Sequence, residues 1–175
     1  MNTLALTDFH PGSPDFGWYV QNDNVMGGRS EGGFQIAAGE LIFTGCTNTN
    51  GGGFSSIRTH ALNLDLSAYA GIRVKVRADG RRYTWGIKTD ERWLGKPITY
   101  WADFATVADV TTVIDLPFAN FLPRFRGTML DGPALNTCQI AEFALYQYDK
   151  TDGPFTIRLM SVEAYESVAG PAGFR

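Results

Sequence analysis

The chain of 175 residues has the length of one ordinary globular domain, and 44% of its residues are hydrophobic. Its formal net charge is −3 at pH 7, so it lacks the surplus of lysine and arginine that neutralises phosphates in nucleic-acid-binding proteins. It also lacks an apolar run of about 18 residues that could span a membrane. These features predict one soluble domain at 1–166, followed by a flexible tail at 167–175.

The two cysteines, Cys46 and Cys138, each lie in an apolar stretch. We expect two buried thiols, with a disulfide as the alternative. No Cys-x-x-Cys pair or calcium-binding spacing is present, so we expect neither a metal nor a cofactor. The N-terminus has neither the basic start nor the apolar run of a signal peptide, which predicts a cytoplasmic protein.

Glycine and proline divide the chain into short segments that are rich in β-branched and aromatic residues, the composition typical of strands. No segment keeps a helical period over three turns, and we expect at most single helical turns at 105–109 and 118–121. Ten short strands between turn signals predict an all-β sandwich or barrel. In chain order they lie at 18–22, 33–37, 41–46, 54–59, 72–78, 82–89, 98–104, 110–116, 140–148 and 155–165.

The first predicted strand runs into a turn-forming segment at 22–30. Asn22 and Asp23 have short side chains that bond their own backbone, and a pair of glycines then permits a sharp reversal. One interpretation is a tight turn with Met26 in the core. The other is a rigid loop that presents Asp23, Arg29 and Ser30 to a partner.

A second glycine-rich segment, at 48–58, contains three consecutive glycines and ends at Arg58. A phosphate-binding loop follows a strand, ends in Gly-Lys-Ser/Thr and opens a helix. Here the glycines lead into a strand and no lysine follows. The sequence therefore argues against nucleotide binding at this loop.

The pair Asp79-Gly80 matches a type I′ turn and predicts a hairpin between the strands at 72–78 and 82–89. Because the turn fixes the register, Ala78 faces Arg81 and the apolar residues of both strands share one side. The predicted apolar pairs are Val76 with Tyr83, Val74 with Trp85 and Ile72 with Ile87.

The polar side of this hairpin brings Arg77 opposite Arg82. Alternation on the strand at 98–104 places Trp101 and Asp103 on the polar side as well, so a neighbouring position would let Asp103 neutralise an arginine beside Trp101. An aromatic ring beside fixed polar groups suits a sugar or a small anion. The alternative is a solvated face with an internal ion pair.

The longest irregular stretch, at 123–137, has few strand-forming residues and two glycines. A loop of this length in a compact domain is often functional.

These segments together resemble the complex I intermediate-associated protein 30 family. The resemblance runs from about Asp8 to Tyr165. It is carried by Asn-Asp-Asn-Val-Met-Gly-Gly-Arg-Ser at 22–30, Gly-Gly-Gly-Phe-Ser-Ser-Ile-Arg at 51–58, Asp-Gly-Arg-Arg-Tyr at 79–83, Leu-Pro-Phe at 116–118, Phe-Arg-Gly at 125–127, Asp-Lys at 149–150 and Gly-Pro-Phe at 153–155.

The resemblance implies a jelly-roll sandwich of the galactose-binding-like type. It also implies a role like that of the mitochondrial members, which act as assembly factors and hold partly built intermediates of respiratory complex I. A protein partner, such as a respiratory-complex subunit, is therefore expected. The candidate contact or loop-organising residues are Asn22, Asp23, Arg29, Ser30, Arg58 and Arg126.

We favour a non-catalytic, protein-binding domain. The alternative is a module that binds carbohydrate or a small anion through Arg77, Arg82 and Trp101. An enzyme would need a deep pocket holding a histidine or a carboxyl with a strongly perturbed pKa. Neither His10 nor His60 stands in a nucleophile motif, and we predict no catalytic residue.

Overall fold

The computed structural model describes residues 3–14, 16–22, 31–50, 53–125 and 128–166. Thirteen strands and one 3-10 helix, Phe118–Asn120, form the regular structure of these residues. The strands are β1 Thr3–Thr7, β2 Tyr19–Asn22, β3 Glu31–Ala37, β4 Glu40–Thr47, β5 Ser55–Arg58, β6 Gly71–Ala78, β7 Tyr83–Trp93, β8 Lys96–Phe104, β9 Thr111–Pro117, β10 Leu122–Phe125, β11 Thr128–Met129, β12 Glu142–Gln147 and β13 Gly153–Tyr165.

The strands form two antiparallel sheets that pack face to face as a jelly-roll sandwich. Sheet A has the order β3-β4-β13-β6-β9, with β1 also paired to β13, and sheet B has the order β11-β10-β8-β7-β12-β5-β2. Alternate residues of each strand point between the sheets. The largest fully buried side chains of this core include Trp85, Tyr83, Tyr100, Phe43 and Phe143.

All ten strands predicted from the sequence are present, with ends shifted by a few residues. Three strands were missed: β1, β10 and β11. Each of these strands is short. In addition, β10 contains Pro123: proline is tolerated near the side of a sheet, but in a sequence it argues against a strand. The prediction of an entirely irregular stretch at 123–137 is therefore wrong at its start.

The two predicted helical turns have different outcomes. The turn at 118–121 is confirmed by the 3-10 helix Phe118–Asn120. The segment 105–109 is not helical; Ala108 forms an isolated bridge with Ala78, and the backbone of Asp109 turns at φ 60°.

The predicted hairpin at Asp79-Gly80 is wrong. β6 pairs with β13 and β9 in sheet A, whereas β7 pairs with β8 and β12 in sheet B. Gly80 has a positive φ of 89°, but Asp79 does not share the left-handed conformation that a type I′ turn needs at both positions. The connection therefore crosses from one sheet to the other.

The burial pattern of the predicted hairpin is nevertheless correct. Val74, Val76, Tyr83 and Trp85 are all buried, because both strands turn the same alternate residues toward the common core. Two paired strands and two facing strands have the same pattern of alternation, so alternation alone does not distinguish them.

The crossing is held by Arg81, whose guanidinium forms two hydrogen bonds with the carboxylate of Asp149. Nε lies 2.9 Å from Oδ2, and Nη2 lies 2.7 Å from Oδ1. Nη1 also donates to the carbonyls of Gly153 and Pro154, at 2.8 and 2.9 Å. Since Asp149 lies between β12 of sheet B and β13 of sheet A, this ion pair ties together two separate connections between the sheets.

Asp79 completes the same network with its own carboxylate. It accepts hydrogen bonds from the Tyr83 hydroxyl at 3.0 Å and from the backbone N–H of Arg81 and Thr156, at 3.1 and 2.8 Å. Burial, and then the nearby charge of Asp79, raise the pKa of Tyr83. Asp79 therefore fastens the end of β6 to the starts of β7 and β13.

Both cysteines are free and exposed, so the expectation of buried thiols is wrong. Cys46 lies on β4, where the alternate residues Leu41 and Phe43 face the core and Cys46 faces outward. An apolar neighbourhood in the sequence does not by itself decide which side of a strand a residue takes. No helix long and apolar enough to cross a membrane occurs within the described ranges.

The variant Asp149→Asn tests whether the ion pair holds the sandwich together. Burial alone would raise the pKa of Asp149, but the hydrogen bonds from Arg81 outweigh it and hold the pKa below its usual value. Because a lowered pKa adds stability above the unfolded value of about 3.9, that contribution is lost as the pH falls through the folded pKa. We expect urea denaturation at pH 7 to show a loss of roughly 2–3 kcal/mol.

The difference between wild type and Asp149→Asn should shrink as the pH falls below about 4, because the carboxyl of the unfolded wild-type chain then binds a proton before the folded one does. Asp131→Asn, which changes an exposed carboxylate, is the matched control and should cost less than about 0.5 kcal/mol. An equal effect of both variants at pH 7 would show that the pair does not stabilise the fold.

Candidate functional site

The structure places the predicted site residues on different surfaces. Arg58 and Trp101 lie on the outer face of sheet B, and Asn22 is the last residue of β2, an edge strand of the same sheet. Arg82 is exposed just before β7 and donates to the Tyr148 carbonyl at 3.1 Å. Four predicted residues fall outside the described ranges: Asp23, Arg29, Ser30 and Arg126.

Arg77 does not join Arg82 and Trp101, and the predicted grouping of these three residues is wrong. Arg77 lies on the outer face of sheet A, where it is directly opposite Arg158 and Thr111. The error follows from the hairpin, because assigning β6 and β7 to one sheet moved Arg77 to the wrong side of the molecule. The predicted side of β8 is confirmed, since Trp101 and Asp103 face outward.

Asp103 bonds to a hydroxyl and not to an arginine. Its Oδ1 accepts a hydrogen bond from Thr84 Oγ1 at 2.6 Å, across the β7–β8 pair. The adjacency of β8 and β7 that the sequence argument required is therefore present, but the expected ion pair is replaced by a neutral donor.

The outer face of sheet B has an aromatic and basic centre. One row of residues crosses six strands, with small side chains in the middle and large ones on both sides. From β10 to β2 its members are Leu122, Trp101, Gly86, Ala144, Arg58 and Tyr19. We call the surface formed by Trp101, Tyr146, Tyr148, Arg58, Arg124, Leu122 and Met129 the Trp101 face.

Trp101 is half-buried and is surrounded by rings and by a guanidinium. Its ring centroid lies 4.7 Å from that of Tyr146 and 5.7 Å from that of Tyr148. The guanidinium carbon of Arg124 lies over the Trp101 ring, 5.2 Å from its centroid. These contacts hold the indole in one place, as a cation and neighbouring rings do in a preorganised aromatic site.

Tyr146 forms the buried floor of the Trp101 face. It is 4% exposed although it points away from the core, because Trp101 covers one side and the Arg58 guanidinium lies 5.2 Å from its ring centroid. Burial raises the pKa of Tyr146, against the opposing charge of Arg58. The ring lies over Gly86, where an added Cβ would come within 2.9 Å of it, so this approach requires glycine.

The apolar border of the Trp101 face lies on β10 and β11, at one side of sheet B. Leu122 is directly opposite Trp101, and Met129 is directly opposite Arg124. Both are exposed, Leu122 by 46% and Met129 by 49%. The sequence argument missed Leu122, Arg124 and Met129 because it treated this segment as a loop; the alternation of Leu122 and Arg124 around Pro123 was the available signal.

A separate cleft of about 760 Å³ lies at the end of the sandwich where β3 turns into β4. Its lining includes the buried rings of Phe9, Phe16 and Trp18. Phe9 has a φ of 64°, in the left-handed region, and the loop is held by hydrogen bonds among Asp8, His10 and Ser13.

Asp8 lies between two residues that line this cleft, Thr7 and Phe9. The backbone hydrogen bond from His10 lowers the pKa of Asp8, whereas a general acid at neutral pH needs a raised carboxyl pKa. Among the described ranges, no group of three or more potential metal ligands occurs.

Three of the motifs that resembled a known family, at 79–83, 149–150 and 153–155, meet at the opposite end of the molecule. Arg81 bonds to Asp149, and the backbone N–H of Thr49 in the glycine-rich segment donates to Asp152 at 2.7 Å. Buried Gln147 accepts a hydrogen bond from Thr47 and donates to the Arg82 carbonyl. These contacts give the motifs a structural role in setting the ends of β4, β7, β12 and β13.

Solved structures share the fold at low sequence identity. A family 11 carbohydrate-binding module from Clostridium thermocellum, in complex with a mixed-linked tetrasaccharide, has a TM-score of 0.69 and 14% identity over 94% of this chain and 95% of that chain. A family 30 carbohydrate-binding module has a TM-score of 0.63 and 13% identity over 95% of this chain and all of that chain. The agarase AgWH50C has a TM-score of 0.68 and 11% identity, covering 98% of this chain and 26% of the agarase.

No curated protein matches the chain in sequence. The sequence pattern of complex I intermediate-associated protein 30 (CIA30) matches residues 7–159, a range that includes the network around Arg81 and all of the Trp101 face. The chain belongs to the complex I intermediate-associated protein 30 family.

Proposed function

We propose that this protein is a non-catalytic binding domain that holds a protein partner against the Trp101 face, in the manner of an assembly factor. The observation that carries the proposal is the exposed border of Leu122 and Met129 beside Trp101 and Arg124. Tryptophan, tyrosine, methionine and arginine are enriched in the cores of protein interfaces, and tryptophan, tyrosine and arginine dominate binding energy there.

The packing of the Trp101 face supports recognition by a preorganised surface. Tyr146 is buried beneath Trp101, and Arg58 and Arg124 are stacked on the two rings. Side chains that are already held in place lose little conformational entropy when a partner covers them. The family name describes association with a complex I intermediate, so the proposed partner is a subunit or intermediate of that complex.

Leu122→Asp should disrupt this interaction, because it places a charge at the apolar border of the Trp101 face. Leu4→Asp is the matched control: Leu4 has a similar exposure of 41% but lies on β1 of sheet A. We expect affinity purification of the tagged protein from its own cells, followed by quantitative mass spectrometry, to show complex I subunits reduced at least tenfold for Leu122→Asp and unchanged for Leu4→Asp. Equal recovery with both variants, at equal melting temperatures, would contradict the proposal.

A carbohydrate ligand is a second candidate, favoured by the half-buried Trp101 ring beside Tyr148. A sugar would stack on the indole, but the Arg124 guanidinium already lies over that ring. The two candidates therefore give opposite predictions for Arg124.

Arg124→Ala separates the two candidates. If a protein partner uses the Trp101 face, the loss of Arg124 should weaken binding by about 1–3 kcal/mol, which is roughly 5- to 150-fold. If a sugar stacks on Trp101, removal of the guanidinium should leave sugar affinity unchanged or increase it, while Trp101→Ala should abolish it. Titration calorimetry with the purified partner and with β-glucan oligosaccharides measures both.

A further inference from the structure

β9 is an edge strand of sheet A, and the other edge strand, β3, has the same length of seven residues. Within the described ranges β9 pairs only with β6, in a continuous register from Thr111 to Pro117. A strand paired on one side leaves alternate backbone N–H and C=O groups without a strand partner on the other. The edge strands of sheet B are shorter, four residues in β2 and two in β11.

The side chains of β9 do little to protect this edge. Natural edge strands commonly carry lysine, proline or a bulge that prevents another strand from pairing. In β9 the four residues from Thr111 to Ile114 are β-branched, no lysine or arginine is present, and proline occurs only at the last position. The register with β6 contains no bulge.

Three exposed valines mark the same edge. Val107 is 59% exposed, Val110 is 49% exposed and Val113 is 56% exposed. Val107 and Val110 lie in the turn that leads into β9, closed by a hydrogen bond from the Val110 N–H to the Val107 carbonyl. The surface next to the unpaired backbone of β9 is therefore apolar, as expected of a surface that another chain covers.

The neighbouring strand gives this edge a positive charge. Arg73 is paired with Asp115 at 2.6 Å. Lys75 and Arg77 are exposed on the outer face of β6, directly opposite the short side chains of Val113 and Thr111. Across β13 their opposite residues are Ser161 and Arg158, so neither cation has a carboxylate directly opposite it in either adjacent strand.

We infer that the β9 edge docks an extended acidic segment of a partner protein, which adds to sheet A as a further strand. Neighbouring strands lie about 4.8 Å apart, so the added strand lies two spacings from β6. Because Val113 and Thr111 are short, the long side chains of Lys75 and Arg77 reach across β9 toward carboxylates on the added strand. Backbone pairing supplies the affinity and the two cations supply the selectivity, as in other cases of strand addition.

This docking edge is independent of the Trp101 face, since β9 belongs to sheet A and Trp101 to sheet B. A domain with both surfaces holds two segments at once, which raises the effective concentration of one for the other. A variant can therefore disrupt binding at one surface and leave the other intact. Leu122→Asp changes the Trp101 face alone and serves as the control for binding at the β9 edge.

The test uses a capped seven-residue peptide of alternating valine and glutamate, added to the full-length protein. We expect it to bind, and we expect amide hydrogen exchange to slow at alternate residues of β9. The double variant Lys75→Gln and Arg77→Gln should weaken binding at least tenfold, while Leu122→Asp should bind as wild type does. A peptide with lysine in place of glutamate should not bind.

Two further peptides test the backbone pairing directly. One is N-methylated at every valine and the other at every glutamate. Because alternate residues of a strand point their N–H groups to the same side, one of these two sets faces β9. The peptide that is methylated at that set loses its backbone donors and should not bind. Unchanged binding of both N-methylated peptides would overturn the proposal, as would equal binding of the lysine peptide. Slow exchange at the β9 edge without peptide, accompanied by a dimer in analytical ultracentrifugation, would overturn it in favour of a second copy of the chain.

Discussion

The contact between Arg81 and Asp149 is the interaction on which the arrangement of this protein depends. The Arg81 and Asp149 side chains are 15% and 11% exposed, and the guanidinium satisfies three backbone carbonyls as well as the carboxylate. Since Arg81 stands between β6 and β7 and Asp149 between β12 and β13, one ion pair fixes two of the connections by which the chain passes from one sheet to the other. A paired, hydrogen-bonded charge suits this position, because an unpaired one would be costly to bury.

Because the connection from β6 to β7 passes from sheet A to sheet B, the outer surfaces of the two sheets differ chemically. β7 and β12 are held side by side in sheet B, which brings Tyr146 across Gly86 and next to Trp101. β6 is held between β13 and β9 in sheet A, where Lys75 and Arg77 point outward. The aromatic surface and the basic surface are therefore on opposite sides of one sandwich, and they are the two places that we propose bind parts of a partner.

The sequence predicted the strands and their buried sides because both follow from alternation within a single segment. It did not predict which strands pair, because Val74, Val76, Tyr83 and Trp85 alternate in the same way in a hairpin and in two facing sheets. The decisive contacts, from Arg81 to Asp149 and from Asp79 to Thr156, join residues 68 and 77 positions apart. Trp101 was assigned to the correct side of β8, whereas Arg77 was grouped with it only through the wrong pairing. Met129 lay within the stretch 123–137 that looked irregular, and Leu122 directly precedes that stretch.

The most direct measurement of the central claim is site-specific photo-cross-linking of the intact protein in its own cells. A photoreactive residue at Thr99, which lies on the outer face of sheet B beside Arg124, is compared with one at Thr44, which is exposed on the outer face of sheet A away from β9. If the Trp101 face binds the partner, position 99 should give one defined cross-linked protein and position 44 should not. The same product from position 44, or its absence from position 99, would contradict the account.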